Sequence, residues 1–196
     1  MRIEIQAHRG NDRLTLRRLL AAAPTSVDVD VGLREGELVV AHDVDLSDAS
    51  GLTVERALAA AGETRLVLEA KCFPPATPSP RAFAHALRPY LDRIAVSSFD
   101  ERVLDEVGRF RHVETTLLFT RPLRVATVAR TIGPRHELVN RELVDAARAL
   151  GLRVVPWTVN DVRRIAELID LGVDGLGTDE PALARAVAAE RLSAAA

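Results

Sequence analysis

Short runs of period two take turns with stretches of helical period along almost the whole chain, and this alternation limits the fold more than any other feature. Ile3, Ile5 and Ala7 alternate with Glu4, Gln6 and His8, which predicts a strand. Asn11 or Asp12 can cap a following helix whose inner stripe is Leu16, Leu19, Leu20 and Ala23. A second strand is predicted over 26–31, extended by a hairpin strand over 37–41 after the Gly36 turn. A helix over 53–61 stops at Gly62, and a strand over 65–71 leads into a proline-rich loop over 73–80 and a helix to about 91. A strand over 94–99 and a helix over 100–108 follow. Four more strands are predicted at 113–119, 137–140, 153–159 and 174–178. The clearest late helix covers 161–171, with Val162, Ile165, Ala166 and Ile169 on one face and Gly172 as its stop.

With the hairpin set aside, eight strands alternate with helices, which predicts an α/β chain folded as a closed parallel (β/α)8 TIM-type barrel. At 196 residues the barrel is near the lower size limit, so a single domain over 1–196 with short helices and loops is expected.

Composition narrows the function classes. A net charge of −2 makes no electrostatic case for nucleic acid or an anionic membrane. The lone cysteine, Cys72, excludes an internal disulfide framework and fits a reducing compartment. The first residues lack the apolar core of a signal peptide, and no apolar run has the length of a membrane span. The expectation is a soluble, cytoplasmic protein acting on a small molecule, with no stable membrane insertion and an oligomeric state that the sequence leaves open.

In such a barrel, chemistry sits at the C-terminal ends of the strands, and polar residues collect there. His8 and Arg9 end the first strand. Asp28 and Asp30 stand two apart on the second, facing opposite to Val27, Val29 and Val31. Glu69 and Lys71 repeat that spacing on the third, and His42-Asp43 closes the hairpin. Lys71 is the only lysine in a chain whose other basic side chains are all arginine, and a compact ammonium suits a phosphate oxygen or a leaving group. Three carboxylates gathered together need a cation or must take up protons. A hard divalent ion, Mg2+ or Ca2+, answers that need through oxygen ligands. With a metal, Arg9 and Lys71 to offset charge on a phosphoryl group, and two histidines as base and acid, the set fits phosphodiester cleavage. Asp43 is expected to orient or cap rather than bind metal.

Seven segments carry a further resemblance: Ala7-His8-Arg9-Gly10, Asp28-x-Asp30, Val39-Val40-Ala41-His42-Asp43, Leu68-Glu69-Ala70-Lys71, Ser97-Ser98-Phe99-Asp100, Trp157-Thr158-Val159-Asn160, and 172–179. In this order they resemble the glycerophosphodiester phosphodiesterase family, which folds as a PLC-like phosphodiesterase-type (β/α)8 barrel. The resemblance implies metal-dependent hydrolysis of glycerophosphodiesters to glycerol 3-phosphate and an alcohol. By position it implies metal ligands at Asp28, Asp30 and Glu69, an acid–base pair at His8 and His42, and phosphate contacts from Arg9 and Lys71. His8 as base and His42 as acid is one assignment, and the reverse stays open. Three departures stand out. Aspartate occupies position 28 where the family usually has glutamate; Arg13-Leu14-Thr15 replaces its Glu-Asn-Thr; and the stretch from His42 to Glu69 is too short for its usual insertion. The last change leaves room for a different headgroup, such as a lysophospholipid or polyol phosphate; the changes at positions 28 and 13 leave room for a silent barrel that only binds a phosphorylated ligand.

Other residues have plainer readings. Trp157 is either a pocket wall, on family analogy, or a core aromatic. Asn160 is expected to cap the next helix. Ser97 and Ser98 can line the mouth or satisfy backbone groups. Cys72 is expected to be a small buried hydrophobe, and His85, His112 and His136 to serve surface or packing roles. The 73–80 loop is expected to form a stiff rim to the site.

Overall fold

In the computed structural model, residues 3–43, 45–72, 79–110, 113–122 and 129–194 are described. Eight parallel strands form one sheet: β1 (Glu4–Ala7), β2 (Ser26–Arg34), β4 (Arg65–Ala70), β5 (Ile94–Ser98), β6 (Thr115–Phe119), β7 (Thr131–Pro134), β8 (Arg153–Val154) and β9 (Gly175–Thr178). A further strand, β3 (Glu37–Val40), pairs antiparallel with β2 as the expected hairpin. The seam between β8 and β9 is joined by Asp174 N–H to Val154 O at 2.9 Å and Gly177 N–H to Pro156 O at 2.8 Å. The fold is therefore the expected (β/α)8 barrel.

Seven helices pack outside it among the described residues: α1 (Arg13–Ala21), α2 (Val54–Ala61), α3 (Pro80–Leu87), α4 (Glu101–Phe110), α5 (Arg141–Ala149), α6 (Val162–Leu171) and α7 (Pro181–Ala194). Their limits follow local chemistry. Asp12, not Asn11, caps α1 by accepting from the Leu14 and Thr15 amides. Thr53 caps α2, and Gly172 ends α6 with a left-handed φ of 86°. Val27, Val29 and Val31 face outward into a core with Leu16, Leu19 and Phe83. A second cluster around Ile132, Ile165, Leu168 and Leu176 fills the other side. No helix among the described residues is long and apolar enough to cross a membrane.

Several expectations need correction. The seventh strand is Thr131–Pro134, and 136–138 is a short 3-10 turn rather than part of a strand at 137–140. Gly133 is selected there by close packing, since a Cβ would lie 2.5 Å from Leu118 Cδ2. The predicted strand over 153–159 shortens to two residues because Pro156 has no N–H to donate. Val155 and Trp157 still donate to Ile132 O and Pro134 O, so the chain stays in the barrel wall. Ala23 lies past the end of α1 and is exposed, and Val162, at the first turn of α6, is also exposed. The loop expected to form a rim falls largely on 73–78, which, like His112, lies outside the described residues.

Candidate active site at the barrel mouth

The sequence candidates meet at the C-terminal end of the barrel. Parallel pairing sets Asp30 level with Glu69 and Asp28 level with Val67 across β2 and β4. All three carboxylates are buried, and one oxygen from each lies within 4.8 Å of the others. Lys71, just past β4, places Nζ 2.5 Å from Glu69 Oε1 and 2.9 Å from Asp30 Oδ1. Lys71, and Arg9 with its Nε 3.9 Å from Asp30 Oδ2, set two cations against three carboxylates, so the negative charge is not fully offset. Asp28 bears most of the consequence. Burial, then repulsion from Asp30 and Glu69, pushes its carboxyl well above the usual range. Its Oδ2 is buried without a hydrogen-bond partner among the described residues. Burial alone would lower Lys71, but Glu69 and Asp30 outweigh it and its pKa is raised. Buried oxygen donors, surplus negative charge and an unpartnered carboxylate oxygen fit a hard divalent cation.

The first loop is built around this cluster. Arg9 takes a left-handed φ of 58°. Gly10 follows in close quarters, where a Cβ would sit 2.8 Å from Val27 Cγ1. Asn11 then clasps Asp30 from both sides, donating from Nδ2 to Oδ2 at 2.7 Å and accepting the Asp30 amide at 2.9 Å. Asn11 is thus a site residue that the reading of it as a possible helix cap passed over.

Two histidines flank the carboxylates. His8 Nδ1 lies 2.9 Å from Asp179 Oδ1, and burial holds the His8 pKa below its ordinary value despite that carboxylate. His42, at the end of β3, has Nδ1 3.0 Å from Asp43 Oδ1, and Arg9 donates from Nη2 to its Nε2 at 2.5 Å. Asp43 is thus placed to orient His42, and with His42 and Asp48 it also forms a second group whose possible ligand atoms lie within 4.8 Å of one another. Asp48 accepts from the His42 and Asp43 amides at 3.0 and 2.9 Å and ties down that turn.

Trp157 forms a wall of the mouth beside His8, Asp28, Glu69 and Ser97. Its Nε1 donates to Gly133 O at 2.7 Å, and its ring meets Phe99 edge-on at 5.5 Å between centroids. Ser97 Oγ faces the same cavity, whereas Ser98 donates to Ala70 O and accepts the Asp100 amide. Cys72 is buried in the outer core, with its thiol 3.5 Å from Asp100 Oδ2. Asn160 does not cap α6, a role taken by Asp161. It binds Asp179 instead, through Nδ2 to Oδ2 at 2.7 Å.

The model of the glycerophosphoryl diester phosphodiesterase family matches residues 81–183, just over half of the chain. This chain belongs to that family. The matched span holds Ser97, Trp157, Asn160 and Asp179, while the candidates from His8 to Lys71 precede it. A glycerophosphodiester phosphodiesterase of Caldanaerobacter subterraneus is 30% identical over 97 residues, which are 46% of this chain and 40% of that relative. One of Arabidopsis thaliana is 36% identical over 55 residues, 28% of this chain and 17% of its own length. The chain thus matches less than half the length of these curated relatives. Among solved structures, a glycerophosphodiester phosphodiesterase from Parabacteroides distasonis aligns with a TM-score of 0.79 at 22% identity, covering 97% of this chain and 98% of that one. An Oleispira antarctica phosphodiesterase, solved with the product sn-glycerol-3-phosphate, aligns with a TM-score of 0.79 at 15% identity, covering 94% and 96%. These likenesses establish the fold.

Proposed function

We propose that the chain is a metal-dependent phosphodiester hydrolase that cleaves glycerophosphodiesters to glycerol 3-phosphate and an alcohol. The observation that carries this reading is the convergence, at one barrel mouth, of a buried three-carboxylate cluster with an unpartnered Asp28 oxygen and two histidines each tied through Nδ1 to a carboxylate. Asp28, Asp30 and Glu69 would hold Mg2+ or Ca2+. When bound, that ion supplies Lewis-acid stabilisation of charge on phosphoryl oxygens.

The chain's own groups do the rest. Arg9 donates to His42 Nε2, and an anionic phosphoryl oxygen is a better acceptor for the same guanidinium. Transfer of Arg9 to the substrate frees His42 Nε2 to take up a proton from solvent and pass it to the leaving oxygen as the P–O bond to the alcohol breaks. His8, half-buried and with its pKa held below the ordinary value, takes the proton of the attacking oxygen. Lys71 supplies a second cation at the carboxylate cluster's edge, and Trp157 bounds the pocket. The Oleispira relative's product complex supports glycerol 3-phosphate as the released fragment.

A second reading within the same chemistry is a substrate with an apolar tail. It is favoured by Leu14, which is 78% exposed in the first turn of α1, next to the mouth and beside Arg13. Incubating the protein with glycerophosphocholine, glycerophosphoethanolamine, glycerophosphoglycerol and lysophosphatidylcholine, with Mg2+, Ca2+ or EDTA, separates the readings. Metal-dependent glycerol 3-phosphate from the soluble diesters supports the first. Cleavage of the lysolipid alone supports the second. Binding without turnover under every condition overturns both and indicates a silent barrel.

A further inference from the structure

We infer that Asp179, braced by Asn160, is the positioning residue that sets the tautomer of His8 and so makes it the base; this rests on the hydrolase reading above. The two residues come from strands that adjoin in the barrel: Ala7 of β1 is level with Thr178 of β9, and the His8 amide donates to Thr178 O at 2.8 Å. One step beyond that register, Asp179 Oδ1 meets His8 Nδ1 at 2.9 Å. An ionised carboxylate only accepts, so Nδ1 must carry the ring proton and Nε2 is left as the unprotonated nitrogen. Asp179 remains ionised: burial would raise its pKa, but hydrogen bonds from Asn160 and His8 outweigh that and lower it.

Asn160 makes the arrangement directional. Its Nδ2 donates to Asp179 Oδ2 at 2.7 Å, while its Oδ1 accepts the Asp179 amide at 2.9 Å and Thr178 Oγ1 at 3.0 Å. With Oδ1 occupied by two donors, the amide cannot flip without losing both. The carboxylate is therefore held from below, with its other oxygen aimed at His8. In the reaction, the attacking oxygen's proton passes to Nε2 while Nδ1 keeps its own. Asp179 then faces the imidazolium that forms, which favours that charge in a buried place.

The test uses Asp179→Asn and Asn160→Ala in the full chain, with folding checked by thermal midpoint. The side-chain 15N shifts of His8, assigned by their loss in His8→Gln, report the tautomer without any need for activity. Wild type should show a protonated Nδ1. In Asp179→Asn, Asn160 Nδ2 still needs an acceptor, so the new amide should turn its NH2 toward His8 and move the ring proton to Nε2. kcat should then fall by about two to four orders of magnitude with KM changed only a few-fold. Asn160→Ala should keep the tautomer and lose about 10- to 100-fold in kcat. A wild-type His8 protonated at Nε2, an unchanged tautomer in Asp179→Asn, or a flipped tautomer with kcat within three-fold of wild type would each overturn the inference. A tautomer that behaves as described in a protein that cleaves none of the diesters supports the positioning role and instead contradicts the hydrolase reading.

Discussion

Lys71 Nζ sits 2.5 Å from Glu69 Oε1 on the same strand end, in an ion pair whose two side chains are each only 7% exposed. A buried pair of this kind contributes little net stability compared with an apolar replacement, but breaking it leaves the surviving charge without compensation. Here two further buried carboxylates, Asp28 and Asp30, share the cluster and add to the charge that Lys71 offsets. The single lysine of the chain is therefore an internal counterion as well as a candidate phosphate ligand.

Lys71→Met should accordingly destabilise the metal-free protein by about 3 kcal/mol, and added Mg2+ or Ca2+ should restore more stability to the variant than to wild type. Urea unfolding with and without metal measures both effects. Equal metal-induced stabilisation in the two proteins would contradict the counterion role.

Asp28→Asn should separate stability from metal binding. With its pKa raised, Asp28 stabilises the fold fully only below its unfolded value near 3.8, and that contribution is lost as pH rises through the folded value. Asparagine mimics the protonated form at every pH. The metal-free variant should thus match or exceed wild type in thermal midpoint at pH 7, while the midpoint rise on adding Mg2+ or Ca2+ should largely disappear. A full wild-type metal shift in the variant would remove Asp28 from the ligand set.

His8 has the opposite sign. Burial lowers its folded pKa below 6.5, so between the two values the unfolded chain binds more protons and stability falls as pH drops below about 6.5. A bound cation pushes the His8 pKa in the same direction. The acidic limb of kcat/KM should therefore lie below 6.5, and His8→Gln should lose the corresponding part of the stability decline. An acidic limb above 6.5 would show that another group titrates.

The barrel was legible because its best strands are ones where period two and β-branched residues agree. Val27-Asp28-Val29-Asp30-Val31 sends valines to the outer core and aspartates inward, as the alternation requires. β7 was not legible, since Thr131-Ile132-Gly133-Pro134 owes its place to the small volume of Gly133 against Leu118, a tertiary fact. The three clustered carboxylates and both histidines could be found from strand-end position. Their partners could not: Asn11 reaches Asp30 over 19 residues and Asp179 reaches His8 over 171. Asp179 lies in a recognisable segment, yet nothing local says that it faces the first strand. Asn160 was misread for a related reason, because asparagine before a helix suits a cap until Asp161 is seen to take that role.

Metal-assisted acid–base cleavage is tested by glycerol 3-phosphate release from glycerophosphodiesters by wild type and His42→Ala, each stripped with EDTA and then reloaded with Mg2+ or Ca2+. Stripped wild type should give no release and recover on reloading, and reloaded His42→Ala should turn over about two to four orders of magnitude more slowly. Release that survives EDTA, or a His42→Ala variant within a few-fold of wild type, would contradict metal-assisted acid–base cleavage at this barrel mouth.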